Sequence, residues 1–441
     1  MRSSSESIKK TMVVSIIDRL SVSGATKHVI SVMAGLDRTQ FETRLITGTL
    51  IEGESDMTYY ARSEGLEPIT IKEMSRELTW RDIIVIAKLL QCFWRLKPEI
   101  IDTQKAKAGA TGRIAAQIYR WLTPSALWLR PRHCRVVHTY HGHVFHSYFS
   151  VAKTRFFLAI ERFLARFCTD AIITISEQQR SEISEDFNVG RADQFRVIPL
   201  GIDPDELEHR GGSLRKEYGI GDDEFVVAII GRICEVKNHS MLLESLAKLI
   251  RSQKVDDRRV RLMVIGDGHL LSNLQALALN LGLGDRVVFT GCRTDVASLY
   301  SELDLVVLTS LNEGTPLTLL EAMCAGRPVV ATEVGGIVDI MGERQSSVDG
   351  FWIWQHGITT PSRDVDTFAT ALRFIINQPE LRQKMGRQAQ MFVKTKLSKT
   401  QLIANIERLY HELAGRPTIE QSLPLTLPES LSETTVAESP L

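Results

Sequence analysis

The stretch SLNEGTPLTLLEAMCAGRPVVAT, residues 310–332, sets two carboxylates, Glu313 and Glu321, around the start of a short helix. Thr315 reads as the N-cap and Pro316 as the first helical residue, where no N–H is needed. Leu317, Leu319, Leu320, Ala322 and Met323 supply an apolar face, Gly326 suits the left-handed position after a helix, and Pro328 blocks a restart. The first N–H groups, Leu317 and Thr318 among them, have no partner inside the helix and carry partial positive charge. That is an anion site, suited to phosphate. Glu321 lies roughly 1.5 turns further along, and helical side chains lean back toward the N-terminus, so it reaches the mouth where Glu313 stands. A carboxylate placed there can accept hydrogen bonds from sugar hydroxyls without touching the phosphate. Taken alone, the spacing also fits a loop residue and an ordinary helix residue, so the surroundings decide.

Other loops carry chemistry of the same kind. In VVAIIGRICEVKNHSMLLESL, Gly231 closes a strand, Asn238 reads as a helix cap, and Arg232 and Lys237 flank the turn. Two cations at a strand's carboxyl end beside a helix start neutralise a diphosphate; two solvated surface cations are the competing reading. VIGDGHLLSNL resembles a dinucleotide fingerprint, but Leu271 stands where a third glycine belongs, so Gly266 and Gly268 argue for close backbone approach and only weakly for NAD. Gly24, in SVSGATKHV, precedes a helix and suits either a ligand lying against the backbone or a flexible turn. RVVHTYHGHVFHSYF holds His138, His141, His143 and His146 without a carboxylate or cysteine pattern for a metal. His141, followed by Gly142, falls at the carboxyl end of a buried strand, the edge where open α/β sheets bind ligands; the other three read as packing or acceptor-side residues. The D-x-D pairs Asp203–Asp205 and Asp364–Asp366 read as turn and capping chemistry rather than as metal ligands.

Strands must place these loops. Apolar runs at 12–18, 41–48, 99–102, 135–141, 171–176 and 195–201 alternate with helical stretches, and the pattern restarts at 224–231, 261–268, 286–291, 303–310 and 328–332. Such alternation predicts an α/β chain with two doubly wound, Rossmann-like domains facing across a cleft. The expected limits are 1–205 for an acceptor domain, 206–380 for a donor domain, 381–415 for a helical return to the first domain, and 416–441 for a disordered tail rich in Pro, Ser, Thr and Glu. Residues from Val365 to Ala414 show helical patterning without strands.

Composition limits the classes. A chain of 441 residues exceeds one ordinary core, and 44% hydrophobic with 24% charged residues is globular. The net charge is zero, yet residues 1–200 carry roughly +7 and the rest roughly −7. Six scattered cysteines without a CxxC pair fit a reduced cytoplasm and argue against zinc. The N-terminus lacks a signal-peptide pattern, and no segment reaches the roughly 20 apolar residues of a membrane span. Between Arg113 and Arg166, Arg120, Arg130, Arg132, Arg135, Lys153, Arg155 and Arg162 meet one acid, Glu161, and interleave with Trp121, Trp128, Phe156, Phe157 and Phe163. That mixture predicts peripheral contact with an anionic membrane surface, such as the inner membrane face.

Together, NEGTPLTLLEAMCAGRPVVATEVGGIVDIM, PLGID, GRICEVKN and VIGDGHL, in this order and spacing, resemble the GT-B glycosyltransferases of family 4, the glycosyl transferases group 1. SGATKHV resembles that family's first loop, with Thr26 in place of a commonly acidic residue, and HTYHGHVF resembles its histidine-bearing strand end. The resemblance spans about residues 12–415. It implies that Arg232 and Lys237 hold a donor diphosphate and Glu321 the nucleotide ribose. Glu313 would face the transferred sugar, with His141 near the reacting carbon; Gly24, Gly266, Gly314, Thr315, Pro316 and Leu317 complete the donor site. It further implies retention of configuration, no bound metal or other cofactor, and a C-terminal helix crossing back onto the first domain. The expected partners are a UDP- or GDP-sugar and a glycan or lipid-linked acceptor, in polysaccharide or glycoconjugate synthesis, with no nucleic acid. Two alternatives stay open at this point: a non-catalytic nucleotide-sugar-binding protein on the same fold, and an NAD-dependent oxidoreductase, which the missing glycine disfavours.

Overall fold

The computed structural model describes residues 9–50, 56–75, 80–142, 151–207, 214–252, 260–293 and 295–416. His143, His146, the Lys153 side chain, part of the expected inter-domain break and the expected tail beyond Arg416 lie outside the described residues.

The first domain runs β1 (Thr11–Ile17), α1 (Gly24–Gly35), β2 (Phe41–Thr47), α2 (Thr58–Ser63), β3 (Ile69–Thr70), α3 (Asp82–Leu96), β4 (Ile100–Gln104), α4 (Ala106–Trp121), β5 (Arg135–Thr139), α5 (Val151–Cys168), β6 (Ala171–Thr174), α6 (Glu177–Ser181) and β7 (Phe195–Val197). Its strands pair in parallel in the order β3-β2-β1-β4-β5-β6-β7. Their apolar runs are buried on both faces: Val13 and Ile17 of β1 meet α1, while Val14 and Ile16 meet α3 and α4. Strand order reverses between β1 and β4, so the crevice outside their carboxyl ends is where a ligand fits.

The second domain contains α7 (Pro204–Leu207), α8 (Leu214–Glu217), β8 (Phe225–Ile230), α9 (His239–Arg251), β9 (Val260–Ile265), α10 (Leu271–Asn280), β10 (Val287–Gly291), α11 (Val296–Leu299), β11 (Leu305–Leu308), α12 (Leu317–Cys324) and β12 (Val329–Thr332). It continues through β13 (Arg344–Val348), β14 (Phe351–Trp354), β15 (Ile358–Thr360), α13 (Val365–Ile376) and α14 (Pro379–Lys396), and α15 (Lys399–Ala414) follows. The sheet order is β10-β9-β8-β11-β12-β15-β14-β13, parallel except for β13 and β14. Here the order reverses between β8 and β11, the strands whose following loops carry Arg232, Lys237 and Glu313.

The sequence reading omits β3 and the β13–β15 meander. β3 has two residues, and β13 is the polar run RQSSV, exposed along most of its length, so neither shows an apolar alternation. It also places the return to the first domain from residue 381 onward, whereas α14 stays with the second: Ala389 and Val393 share a core with Leu319 and Leu320 of α12. The chain crosses at Leu397–Lys399, where Ile202 N–H donates to Leu397 O and Lys399 N–H to Ile202 O, both at 2.8 Å. Only α15 lies on the first domain, with Leu402, Ile406, Leu409 and Tyr410 packed among Val13, Ile17 and Val29.

Candidate active site

α12 begins one residue later than its sequence suggests. Pro316 is the residue before the helix, with extended backbone, and Thr315 does not cap it: its Oγ1 is buried without a partner among the described residues. Asn238 likewise fails to cap α9 through its side chain, because it adopts a left-handed backbone (φ 48°) and its amide turns to Met241 and Ser240. Gly326, at φ 71°, ends α12 as expected. The loop 313–316 is held from behind by the turn after β12. Gly336 N–H donates to Glu313 O at 3.3 Å, and a Cβ on Gly336 would stand 2.7 Å from Gly314 O.

The two glutamates converge on lysines from opposite sides. Lys237, in the turn after β8, donates to Glu313 Oε1 at 2.5 Å, and Ser310 Oγ donates to the same oxygen at 2.6 Å. Glu321 accepts from Tyr300 OH at 2.8 Å on Oε2 and from Lys27 Nζ at 2.9 Å on Oε1. Lys27 belongs to α1 of the first domain and also meets Glu206 Oε2 at 3.2 Å. Burial alone would lower the Lys27 pKa, but the Glu321 and Glu206 carboxylates together raise it above the usual lysine range. Arg232 is exposed, on the turn after β8 that carries Lys237. Gly266 does not reach the cluster; it lets the end of β9 pass the end of β8, since a Cβ there would fall 2.0 Å from Gly231 O.

The first domain closes the site. A Cβ on Gly24 would be 3.0 Å from Leu317 Cδ1, and one on Gly314 would be 3.0 Å from both His141 O and Gly142 Cα. His141 is therefore at the mouth of α12, across the cleft from Glu313. Its Nε2 lies 2.6 Å from Gln104 Oε1. Gln104 Nε2 donates to Asp102 Oδ2 at 2.7 Å, an oxygen that also accepts from Tyr410 OH of α15 at 3.0 Å. The chain Tyr410–Asp102–Gln104–His141 fixes the amide orientation, and so makes Nε2 the protonated ring nitrogen. Burial, reinforced by the Lys105 ammonium, holds the His141 pKa well below the usual histidine range, so the ring is neutral. Burial pushes Asp102 up to about 7 against the pull of its three donors.

Of the sequence-derived positions, Gly24, His141, Lys237, Glu313, Gly314, Leu317 and Glu321 are brought together at the interdomain cleft, with Thr315 and Pro316 on the same loop, while Arg232 is exposed on the turn before Lys237 and Gly266 lies where β8 and β9 end. Lys27, Tyr300, Gln104 and Asp102 were not found from sequence, because Glu321, His141 and Tyr410, which give them their place in the site, lie far along the chain; Ser310 was missed although its partner Glu313 is only three residues on. Both D-x-D pairs do other work: Asp203 accepts from Asp205 N–H and pairs with Lys399, Asp364 caps α13, and Asp366 pairs with Lys248.

The family model described as Glycosyl transferases group 1 matches residues 212–392, and that described as Glycosyltransferase Family 4 matches residues 22–206. The chain is 27% identical over 309 residues to the UDP-Gal:alpha-D-GlcNAc-diphosphoundecaprenol alpha-1,3-galactosyltransferase of Escherichia coli, covering 69% of this chain and 72% of that one. It is 32% identical over 203 residues to the N-acetyl-alpha-D-glucosaminyl L-malate synthase of Bacillus anthracis, covering 45% and 49%. Among solved structures it resembles Anabaena HepE in complex with UDP-glucose, with a TM-score of 0.68 at 21% identity over 91% of this chain and 99% of that one. That likeness bears on the fold alone.

Proposed function

The chain belongs to the glycosyl transferases group 1, a glycosyltransferase of GT-B architecture, and on that premise we propose that it moves a hexose, with retention, from a UDP- or GDP-sugar to a glycan or lipid-linked acceptor. The observation that carries this reading is the meeting, at both sheets' switch points, of a helix start, two cations and two carboxylates with a neutral histidine. The diphosphate would sit on the first amides of α12 with Arg232 and Lys237, where leaving-group charge develops in water-poor surroundings. Ribose hydroxyls would replace Lys27 on Glu321, and sugar hydroxyls would replace Lys237 on Glu313. The sugar's C1–O bond to phosphate breaks, the acceptor oxygen bonds to C1, and its proton leaves with the diphosphate. His141, held by Gln104, has its free Nδ1 to orient a sugar hydroxyl.

With cationic side chains at the diphosphate and the D-x-D carboxylates used in turns and caps, the reaction is assigned no resident metal. The relative in Escherichia coli is named for an acceptor on a diphosphoundecaprenol carrier, which supports a lipid-linked glycan here and a role in polysaccharide or glycoconjugate synthesis. No described helix is long and apolar enough to cross a membrane. The basic, aromatic stretch from Arg113 to Arg166 supports a peripheral contact with a lipid-borne acceptor, and six cysteines that form no disulfide support the cytoplasmic face. Thermal-shift measurements with UDP-, GDP- and ADP-sugars in EDTA test the donor assignment, because a ligand bound only by the native state raises the melting temperature. One uridine or guanosine sugar is expected to stabilise the protein with chelator present. Stabilisation only after adding Mg²⁺ or Mn²⁺, or by none of the three, would overturn it.

A further inference from the structure

Of the seventeen large apolar side chains exposed among the described residues, thirteen lie between Trp80 and Phe167. They come from α3 and Trp80 just before it, α4, α5 and the turn after α4, and the three helices pack side by side. Ile114, Ile118, Trp121 and Leu122 recur at helical spacing on the outer face of α4, while Ala115, Ala116 and Tyr119 turn inward. On α5, Phe156, Phe163 and Phe167 are each more than half exposed, and the last two rings lie 5.1 Å apart. Trp128 and Leu129, in the turn, are 80% and 81% exposed. A patch this concentrated marks an interaction surface.

Its charge names the partner. The single acid of the basic stretch, Glu161, is buried, held by Arg113 and by Tyr140 OH. Arg130, Arg155, Arg162 and Arg166 remain exposed among the aromatic rings. Where α4 and α5 end, the face runs into an open hollow of about 430 Å³ walled by Arg120, Arg135, Arg166, Arg191 and Phe167, with Asp170 and Glu412 as its acids. Exposed apolar residues with cationic flanks suit an anionic bilayer, which takes the rings at its boundary and the guanidiniums at its phosphates. A second copy of the chain suits them poorly, because a two-fold contact would bring this basic surface against itself.

We infer that the outer face of α3, α4 and α5 is the surface by which the protein docks on an anionic lipid bilayer. It gives the peripheral contact proposed above a location, and rests on that reading for the lipid-borne acceptor. α4 starts two residues after Gln104, which holds His141, and ends at Trp121, so one helix runs from beside the site to the docking face.

The test is co-sedimentation of the full chain with vesicles of neutral phosphatidylcholine, or of the same lipid with phosphatidylglycerol, at 0.1 M and 1 M salt. The Debye length falls from about 10 Å to about 3 Å between those salts. Binding is expected only to the anionic vesicles at low salt, with a blue shift of tryptophan fluorescence. The triple variant Arg130→Glu, Arg155→Glu, Arg166→Glu should lose at least tenfold in binding. The variant Trp121→Ser, Phe163→Ser, Phe167→Ser should bind more weakly and lose the blue shift. Nucleotide-sugar binding in solution, without vesicles, should be unchanged in both; it reports separately on the donor reading and on folding. Equal binding to both lipids, no binding at low salt, or a salt-resistant dimer that the serine variant abolishes would overturn the inference.

Discussion

Glu321 and Glu313 each accept from a lysine, so on the proposed reading a nucleotide-sugar would bind here by exchanging partners rather than by meeting bare carboxylates. Lys27 apart, the histidines on the first-domain side of the cleft are neutral instead. Burial lowers His28 to about 4 and His138 to about 3, and His141 falls well below the usual range. Each takes up a proton more readily once unfolded, near pH 6.5. The unfolded chain therefore binds more protons as pH falls below about 6.5, and the stability these groups contribute is full above that pH and lost through the window down to about 3. Asp102, raised to about 7, acts oppositely: it favours folding at low pH and opposes it as pH rises through 7. Three histidines against one aspartate give the sign. The urea midpoint is expected to fall on going from pH 6.5 to pH 4; a midpoint unchanged or rising over that range would contradict the neutral-histidine description.

At the scale of elements, strand ends and helix starts are set by glycines whose roles differ. A Cβ on Gly266 would meet Gly231 O at 2.0 Å, and its backbone has φ 143°, whereas a Cβ on Gly24 would meet only the tip of Leu317 at 3.0 Å. Gly266→Ala should therefore cost more than about 2 kcal/mol, while Gly24→Ala should stay within about 1 kcal/mol. Chemical denaturation of both variants checks this, and equal losses would mean that the β8–β9 approach is not what Gly266 serves. The same elements show what was legible in the sequence. β1, β8 and β11 are apolar runs buried on both faces, and those are readable from composition alone. The β13–β14 hairpin hid because its outer strand is polar, though its turn, Asp349–Gly350 at φ 45° and 89°, carries the Asp-Gly signal of a tight hairpin. Thr315 was misread as a cap because cap preference is a local rule, and the loop here is held by Gly336 from another strand's end. Lys237 and Glu313 were legible because they stand on the turns after β8 and β11, and Glu321 because it falls at a readable position in α12. Lys27 and Gln104 were not, because only the closed cleft and the sheet pairing bring them to their partners.

Across the whole molecule, α15 ties the two domains together, with Tyr410 reaching the Asp102 that supports the site and Ser398 capping the helix at the crossover. Between Lys27, Glu206, Leu317 and Lys399 the remaining space is about 20 Å³, room for about one water. On the proposed reading a sugar nucleotide would need the domains to part at Gly24–Leu317 and Gly142–Gly314, and Lys27 would be the charge it displaces. Lys27→Ala should tighten nucleoside diphosphate binding by about two- to fivefold, since the partly exposed pair it breaks is worth about 1 kcal/mol at most. Weaker binding would show that Lys27 touches the donor itself. The central claim is that the start of α12, with Lys237 and Glu321, holds a nucleoside diphosphate without a metal. Calorimetric titration of UDP and GDP, in EDTA, into the wild type and into Lys237→Ala and Glu321→Gln tests it most directly. One nucleotide should bind the wild type and lose about tenfold or more in each variant, the worth of a charge-assisted contact of about 1.5–3 kcal/mol, while both variants melt as the wild type does. Equal affinity in all three proteins, or no binding of either nucleotide to the wild type, would contradict it.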